Sequence, residues 1–308
     1  MSEFSIGIDL GGTNLRAAVV SREGQILDRH TALTSISQGR DAVIDAMVGA
    51  IRTLRDRQTG RFAGVGIGVP GFIHLEKGYI FNSNNLVPLE NFPLRDEIEK
   101  RLGAPVILEN DANAAALGEK WMGAGRDVRH FILLTLGTGI GGGIIHHGRV
   151  LHGEIGMAAE LGHITVVPNG LPCGCGNVGC VEKHASATAI AAMGRLHGLG
   201  ENITAKGVYE LAVAGNDRAH MIFEHMGRSL GIAIANLVNI FNFPLHLLSG
   251  GPLPAWEFFA PYMFEEVKRR SYTFRHTDTR IEKAALGDLA GLYGAAYLPF
   301  LSQELGSR

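Results

Sequence analysis

The sequence contains little cysteine and almost no net charge. It has 3 cysteines in 308 residues, and 28 Lys+Arg against 30 Asp+Glu leave a formal net charge of −2. Three cysteines cannot build the disulfide framework of a small secreted domain. A near-neutral chain also lacks the basic excess typical of proteins that bind nucleic acid or an acidic membrane surface. The composition therefore excludes a disulfide-stapled module and predicts neither nucleic acid nor membrane as a partner.

Long uninterrupted hydrophobic runs are also missing. The first nine residues lack the basic flank and apolar stretch of a secretory signal. The uncharged stretch between Arg228 and Glu257 is interrupted by three asparagines and three prolines, so a buried helix, a strand and a turn explain it better than a membrane span. We therefore expect a cytoplasmic protein. At about 150 residues per domain, its length predicts about two domains.

Glycine is the residue in excess. It accounts for 42 of 308 residues, about twice its average share. Glycine is costly inside helices and strands, so the excess predicts many turns and backbone surfaces that approach a ligand closely. Two strand, glycine-turn, strand units are similar, one at residues 4–20 and one at residues 131–145. Together with the intervening helix patterns they predict an α/β fold of two related halves, with ligands at strand ends and a boundary near residue 115.

Both glycine turns suit phosphate. A turn of this kind can direct backbone N–H groups and a threonine hydroxyl at phosphate oxygens, while a carboxylate at the strand end holds hydrated Mg²⁺. An ordinary hairpin turn is the alternative, but the presence of two such turns favours a nucleotide. Neither turn is a P-loop or a dinucleotide fingerprint, because no lysine follows the glycines and no helix begins there. The predicted nucleotide-binding residues are Asp9, Gly11, Gly12, Thr13 and Asn14 in the first turn and Gly137, Thr138 and Gly139 in the second.

The cysteines form a cluster. Cys173, Cys175 and Cys180 fall within eight positions, and His163 lies ten positions before the first of them. A set of one histidine and three cysteines suits tetrahedral zinc, and the odd, clustered cysteines suit metal binding in a reducing compartment. Three buried free thiols are the alternative. Four protein ligands would leave no position for a reactive water, so the zinc would be structural.

A carboxylate stands at another strand end. The short strand Val106–Leu108 leads through Glu109 and Asn110 to Asp111, which precedes an alanine-rich helix. A carboxylate at this place can act as a general base toward a hydroxyl that attacks a phosphoryl group. Capping of the following helix is the alternative role, and both roles can hold together.

Five segments resemble, in order, the ROK family of repressors and sugar kinases within the actin-like ATPase superfamily. They are residues 9–13 (DLGGT), 110–113 (NDAN), 136–142 (LGTGIGG), 160–163 (ELGH) and 173–182 (CGCGNVGCVE). The resemblance extends from about Ile6 to Ala296. It implies an α/β fold of two actin-like ATPase (ribonuclease H-like) domains around a central cleft. One would comprise residues 1–115 with the C-terminal helix 291–308, and the other residues 116–290 with a zinc module at 163–182.

The resemblance also implies an activity and a site. It implies an ATP-dependent hexose kinase that transfers the γ-phosphate of MgATP to the 6-hydroxyl of a hexose, with Asp111 as the catalytic base. The hexose would be bound by Gly71, Asn85, Asn110, Asp111, Glu160, His163 and Glu182. Gly250 and Gly251 resemble the family's adenosine turn. One ring nitrogen of His163 would ligate zinc while the other hydrogen-bonds the sugar. The implied cofactors are ATP, Mg²⁺ and a structural Zn²⁺ held by His163, Cys173, Cys175 and Cys180, and the implied assembly is a homodimer or homotetramer.

Three functions remain open. Residues 162–182 resemble the glucokinase branch of the family, which favours glucose as the substrate. A kinase for N-acetylglucosamine, N-acetylmannosamine, mannose, allose or fructose is the second possibility. A sugar-sensing repressor is the third, but we expect no helix-turn-helix domain here because the phosphate turn already begins at Asp9.

The sequence departs from the family at one position and contains histidines outside the motifs. The family usually has Ser-Gly-Thr where this chain has Ser186-Ala187-Thr188, and we expect the added methyl group to crowd the sugar pocket. The histidines outside the motifs have no spacing that indicates a ligand set, so we interpret them as ordinary surface or core residues; they include His74, His130, His146, His147, His152 and His184.

Overall fold

The computed structural model describes residues 3–83 and 85–306, which fall into two compact units. The first unit lies within residues 1–129, 143–158 and 285–308, and the second within residues 130–142 and 159–284. These units do not coincide with the predicted ranges 1–115 and 116–290. The difference arises because helix α3 (Asp111–Met122) packs along the C-terminal helix α9 (Ala290–Gly306), so both belong to the first unit.

The first unit contains a five-stranded sheet of order β3-β2-β1-β4-β7. Its strands are β1 (Glu3–Leu10), β2 (Asn14–Ser21), β3 (Ile26–Leu33), β4 (Arg61–Val69) and β7 (Val106–Asn110). The pairs β1–β2 and β2–β3 are antiparallel, whereas β1–β4 and β4–β7 are parallel. A small hairpin follows β4, formed by β5 (Phe72–His74) and β6 (Tyr79–Asn82). The helices are α1 (Arg40–Asp56), α2 (Leu94–Leu102), α3 and α9.

Apolar spacing explains how this unit packs. Helix α1 buries Val43, Met47 and Ile51, which recur at helical intervals on one face. On the other side of the sheet α9 approaches β1 and β4 closely, because a Cβ atom on Gly66 would overlap the carbonyl oxygen of Ala295. Helix α9 thus lies directly on the backbone of the central strands.

The second five-stranded sheet has the order β10-β9-β8-β11-β12. Its strands are β8 (Phe131–Leu136), β9 (Ile140–His146), β10 (Arg149–Val150), β11 (Leu245–Gly250) and β12 (Arg280–Lys283). Strand β11 pairs in parallel with β8 and β12. The chain passes from the second unit to the first within β9, so β10 belongs to the first unit. The helices are α4 (Glu182–Ala185), α5 (Ala187–Leu196), α6 (Ala205–Val213), α7 (Asp217–Phe241) and α8 (Trp256–Arg270).

Two predictions about architecture are confirmed by these elements. Strands and helices alternate along the chain as an α/β fold requires, and glycine turns join β1 to β2 and β8 to β9. The uncharged stretch that begins after Arg228 forms most of α7, whose side chains from Ile222 to Val238 are largely buried, and then strand β11. Among the described residues no helix combines the length and the apolarity needed to cross a membrane.

Candidate functional site

The first glycine turn is fixed by one threonine. The N–H of Gly11 donates to the carbonyl of Asn14 at 2.9 Å, which closes the turn between β1 and β2. The buried Thr34 donates its hydroxyl to the carbonyl of Gly11 at 2.7 Å and its N–H to the carbonyl of Thr13 at 3.0 Å. Gly12, Thr13 and Asn14 are exposed. Thr34 therefore fixes the backbone of the turn, while Gly12, Thr13 and Asn14 stay accessible to a phosphate group. Thr34 belongs to no motif, so no sequence pattern indicated it.

Asp9 lies near the end of β1, beside this turn, in an electrostatically unfavourable place. Burial raises the pKa of Asp9 to about 6, and the negative charges of Asp111 and Asp288 act in the same direction against the opposing Arg16. Gly291 brings the start of α9 near the carboxylate, since a Cβ atom there would be 3.5 Å from the Asp9 Cγ. Two neighbouring carboxylates in a partly buried place are a donor set that suits a hydrated divalent cation.

Asn110 and Asp111 lie where β7 turns into α3. Asn110 caps the helix, because its Oδ1 accepts the N–H groups of Ala112 at 2.9 Å and Asn113 at 3.2 Å. Its Nδ2 donates to the carbonyl of Gly71 at 3.2 Å. Asp111 is the first residue of the helix and half-buried, and its Oδ1 accepts the N–H of Ala112 at 2.8 Å. The capping role proposed for this pair therefore falls mainly on Asn110.

Gly71 and Asn85 complete the first-unit group. Gly71 has a φ of +108° and no space for a Cβ atom, which would overlap the carbonyl of Asn82. Asn85 is exposed, and its backbone lies against the glycine turn, since a Cβ atom on Gly12 would be 3.3 Å from the Asn85 carbonyl oxygen. The first unit thus brings together all of its predicted residues, which are Asp9, Gly11, Gly12, Thr13, Asn14, Gly71, Asn85, Asn110 and Asp111.

The second glycine turn is fixed to the start of α5. The N–H of Gly137 donates to the carbonyl of Gly139 at 2.9 Å, and the N–H of Ala187 donates to the carbonyl of Gly137 at 2.8 Å. The hydroxyl of Thr188 donates to the carbonyl of Thr138 at 2.7 Å. All three carbonyl groups of the turn therefore have hydrogen-bond partners, two of them on α5.

The predicted hexose-binding residues of the second unit lie close together. The carboxylate of Glu182 accepts the N–H of Ile140 at 3.0 Å, and Gly139 leaves room for it because a Cβ atom there would overlap the carboxylate. The Nε2 of His163 is 3.9 Å from the Glu160 carboxylate. Burial raises the pKa of Glu160, with His163 opposing the shift and the negative charge of Glu182 adding to it. A cluster of two carboxylates and an imidazole suits several sugar hydroxyls.

The zinc ligands predicted from the sequence meet in space. The ligand atoms of His163, Cys173, Cys175 and Cys180 all lie within 4.8 Å of one another. The His163 Nδ1 is 3.6 Å from the Cys173 Sγ, and the Sγ atoms of Cys175 and Cys180 are 3.7 Å apart. Tetrahedral zinc with ordinary bond lengths requires edges of about 3.6 Å between nitrogen and sulfur and about 3.8 Å between two sulfurs.

The charge state of the cluster leads to the same chemistry. Burial and the neighbouring thiols of Cys175 and Cys173 raise the pKa of the Cys180 thiol to about 12. A hydrogen bond from the backbone at Asn177 instead lowers the pKa of the Cys175 thiol. Zinc deprotonates the thiols that coordinate it. The donor set, its spacing and its electrostatics therefore fit Zn²⁺, with the Nε2 of His163 left toward Glu160.

Gly250 and Gly251 lie beside the second glycine turn. Gly250 ends β11 and pairs in the ladder with Leu136, which immediately precedes Gly137. Its φ is +113°, and a Cβ atom would overlap the Leu136 carbonyl, so this position requires glycine. Gly251 is exposed, with nothing within 4 Å of a Cβ atom built on it. The predicted adenosine turn is thus adjacent to the predicted phosphate turn.

A cavity of about 640 Å³ opens next to Thr138. Its lining includes polar residues that no sequence motif indicated, namely Arg195, Glu201, Asn202, Thr204 and Lys206. They lie on α5, α6 and the loop between them, where no motif or spacing marks them. Ala187 lines this cavity with Thr138. The expectation that its methyl group crowds the sugar pocket stays a prediction.

This fold and site correspond to a known class of protein. Residues 5–300 match the ROK family, so the chain belongs to that family. The solved structure of a ROK hexokinase from Thermus thermophilus has a TM-score of 0.89 and 34% identity, and the match covers 98% of this chain and 100% of that one. The predicted actin-like ATPase fold is confirmed by these neighbours.

Two further relatives are sugar kinases by name. A glucokinase of Thermotoga maritima is 40% identical over 305 residues, which is 94% of this chain and 95% of that protein. A ROK family glucokinase from Streptomyces griseus, solved in complex with glucose and AMPPNP, has a TM-score of 0.80 and 34% identity, with 96% of this chain and 98% of that chain covered. An N-acetylmannosamine kinase of Escherichia coli and a xylose repressor of Caldicellulosiruptor bescii also match, at 35% and 31% identity.

Proposed function

We propose that this protein is an ATP-dependent hexose kinase with glucose as its preferred substrate. The observation that carries the proposal is the group in the first unit, where Asp111 and Asp9 stand beside an exposed glycine turn. A base, a carboxylate for a cation and a turn for phosphate are the parts that phosphoryl transfer to an alcohol requires. The glucokinase relatives from Thermotoga maritima and Streptomyces griseus support glucose over other hexoses.

The first unit would supply the proton acceptor. Asp111 would accept the proton of the hexose 6-hydroxyl. As the proton leaves, the hexose 6-oxygen would form a bond to the γ-phosphorus, and the bond between the γ-phosphorus and the β-phosphate oxygen would break. Asn110 would hold the hexose from the same turn, together with Asn85 and the backbone at Gly71. The exposed turn at Gly11, Gly12, Thr13 and Asn14 would bind phosphate oxygens. Asp9 would hold Mg²⁺, which neutralises phosphate charge when bound.

The second unit would orient the substrates. Glu160, His163 and Glu182 would bind hexose hydroxyls, and each buried hydroxyl that loses its partner costs about 1–3 kcal/mol, which makes these groups selective. Gly137, Thr138 and Gly139 would bind phosphate, with Gly250 and Gly251 near the adenosine. The 640 Å³ cavity beside Thr138 is large enough for a nucleoside, and its Glu201 carboxylate and Lys206 ammonium offer partners for ribose and base.

Zinc would act on the site indirectly. Held by His163, Cys173, Cys175 and Cys180, it would fix the ring of His163 so that Nε2 faces the Glu160 side. The metal would thereby set the orientation of the His163 ring toward the hexose without contacting phosphate. The homodimer or homotetramer and the cytoplasmic location expected from the sequence stay predictions.

A panel of sugars tests this function. ADP release is coupled to an optical readout, and kcat/KM is measured for glucose, mannose, fructose, allose, N-acetylglucosamine and N-acetylmannosamine with ATP. We expect glucose to give the highest value by at least about tenfold, because a buried polar group that loses its partner costs about 1–3 kcal/mol. Equal values for glucose and N-acetylmannosamine would exclude the glucokinase assignment. Binding of a sugar without ADP release would favour the sugar-sensing function represented by the repressor relative.

A further inference from the structure

A buried carboxylate and a histidine form a pair in the first unit that no motif contains. The Nε2 of His152 is 2.7 Å from the Glu109 Oε2. Glu109 is 3% exposed and is the penultimate residue of β7, while His152 follows β10. A carboxylate accepts hydrogen bonds, so the imidazole N–H is the donor. The interpretation of His152 as an ordinary surface or core residue is therefore corrected.

The second oxygen of Glu109 holds both sides of the turn that carries Asp111. Its Oε1 accepts the N–H of Asn110 at 2.9 Å and the side-chain Nδ2 of Asn113 at 3.2 Å. The first contact fixes the last peptide of β7, and the second fixes the first turn of α3. Asp111 lies between these two points in the chain. One carboxylate thus contacts both the end of the strand and the first turn of the helix.

Glu109 and His152 have mainly apolar surroundings. Glu109 and His152 lie in the wall of a cavity of about 450 Å³ whose lining is mainly apolar, including Leu75, Val150 and Leu298. Burial works against a charged imidazole, but the hydrogen bond to Glu109 and its negative charge outweigh burial, so the pKa of His152 lies above its ordinary value. The charged groups that face the cavity from the neighbouring elements are Arg95 of α2 and Arg149 of β10.

We propose that Glu109, held in place by His152, is a positioning residue that sets the geometry of Asp111 for phosphoryl transfer. Glu109 acts through the turn it holds and does not touch the substrate. The proposal rests on the proposed kinase function. A displacement of a reacting group by about 1 Å costs up to about 100-fold in rate, so a loosened turn is expected to lower kcat.

The first test removes the donor that holds Glu109. His152→Phe keeps a ring of similar size without an N–H, and His152→Gln restores a donor. The matched control is His30→Phe, a half-buried histidine on β3 at the opposite edge of the same sheet. We expect His152→Phe to lower kcat about tenfold or more with KM for ATP within about twofold, because a loss felt only in the transition state lowers kcat without changing ground-state binding. His152→Gln should recover much of kcat, and the control should keep it.

The second test uses pH. In the unmodified protein the Nε2–H of His152 donates to Glu109 whether the ring is charged or neutral, so the pair itself adds no pH dependence. In Glu109→Gln the amide N–H faces Nε2, which can accept only when the ring is neutral. We therefore expect kcat of this variant, relative to the unmodified protein, to be lower at about pH 6 than at about pH 8, the range over which histidine titrates. A constant ratio would contradict the proposal.

The outcomes separate the positioning role from the kinase function. If the unmodified protein phosphorylates no hexose, both proposals fail. If it is active and His152→Phe, shown to be folded by its thermal unfolding, keeps kcat within about twofold, the positioning role alone fails. If His152→Phe does not fold, the kcat of Glu109→Gln relative to the unmodified protein decides. A lower ratio at about pH 6 than at about pH 8 supports the positioning role, and a constant ratio contradicts it. A fall in kcat reversed by His152→Gln supports the proposal, since a merely structural contact would change stability and leave kcat of the folded enzyme intact.

Discussion

Glu182 and Ile140 are joined by a hydrogen bond of 3.0 Å from the backbone N–H to the carboxylate. Glu182 begins α4, directly after the cysteine cluster, and Ile140 begins β9, directly after the second glycine turn. A single side chain therefore connects the residues proposed to bind hexose with those proposed to bind phosphate. Glu160 makes no comparable contact with that turn in the described part of the chain.

This difference predicts distinct kinetics for the two glutamates. Glu182→Ala should raise KM for both glucose and ATP about tenfold or more, because a charged hydrogen bond contributes about 1.5–3 kcal/mol. Glu160→Ala should raise KM for glucose by a similar factor and leave KM for ATP within about twofold. Steady-state kinetics with each substrate varied in turn measure both effects. An unchanged KM for ATP in Glu182→Ala would show that its contact to Ile140 has no part in nucleotide binding.

Asp111→Asn tests the base. The substitution keeps an oxygen that can accept the Ala112 N–H, and the cap from Asn110 is untouched, so the fold should survive. We expect kcat to fall about 10²–10⁴-fold, which is the usual contribution of general base catalysis. Glucose binding measured by calorimetry should persist. Turnover near that of the unmodified protein would refute the role of Asp111.

The sequence predicted the parts of this site that depend on local patterns. Glycines in a strand, turn, strand unit and cysteines two and five positions apart need no tertiary information, and both features lie where they were expected. Pairs brought together only by the fold could not be found in this way. Glu109 and His152 are 43 positions apart and belong to different elements. The cavity beside Thr138 is likewise built from helices with no motif.

Glu119 illustrates why such contacts escape sequence reasoning. It lies in α3, where a glutamate indicates a solvated face, yet it is 0% exposed. Its carboxylate accepts the N–H groups of Ala124, Ala285 and Leu286, at 2.8, 3.1 and 2.8 Å respectively. The last two are contributed by the segment before α9, more than 160 positions away. The packing of α3 along α9 brings these two distant donors to Glu119.

Metal analysis tests the zinc site. Protein purified without chelator should contain about one zinc per chain, because the four donor atoms lie within 4.8 Å of one another and two of their distances match a tetrahedral site. Cys180→Ser should lose most of the zinc and lower the Tm, since binding of a structural metal contributes to folding. His197→Gln, an exposed histidine of the same unit outside the cluster, should keep both. Unmodified protein without zinc would overturn the assignment.

Gly250 and Gly251 form a matched pair for a stability test. Gly250→Ala would place a methyl group on the Leu136 carbonyl at a φ of +113°, so it should destabilise the protein by about 3 kcal/mol. Gly251→Ala meets open space and should change stability by less than about 1 kcal/mol. Urea unfolding of both variants measures the difference. Equal stabilities would mean that the backbone at the end of β11 can shift. A fixed backbone at Gly250 would then not be required for its place beside Gly137.

His246 predicts how stability depends on acid. It lies on β11 at 0% exposure, and neither ring nitrogen has a hydrogen-bond partner among the described residues. Burial lowers the pKa of His246 from 6.5 to about 4. Between these values the unfolded chain binds a proton that the folded chain does not, so stability should fall by about 3 kcal/mol as pH decreases from about 6.5 to about 4.

His246→Leu should remove this loss. Leucine has a similar size and no proton to bind, so the variant should lose less stability on acidification than the unmodified protein. Burial also lowers the pKa of His184 and His225, which contribute in the same direction to both proteins, so only the difference between the two curves belongs to His246. Urea unfolding at a series of pH values measures each curve. Parallel curves would show that the imidazole becomes charged inside the folded protein at no cost, and His246 would then have to reach water or a partner that β11 does not provide.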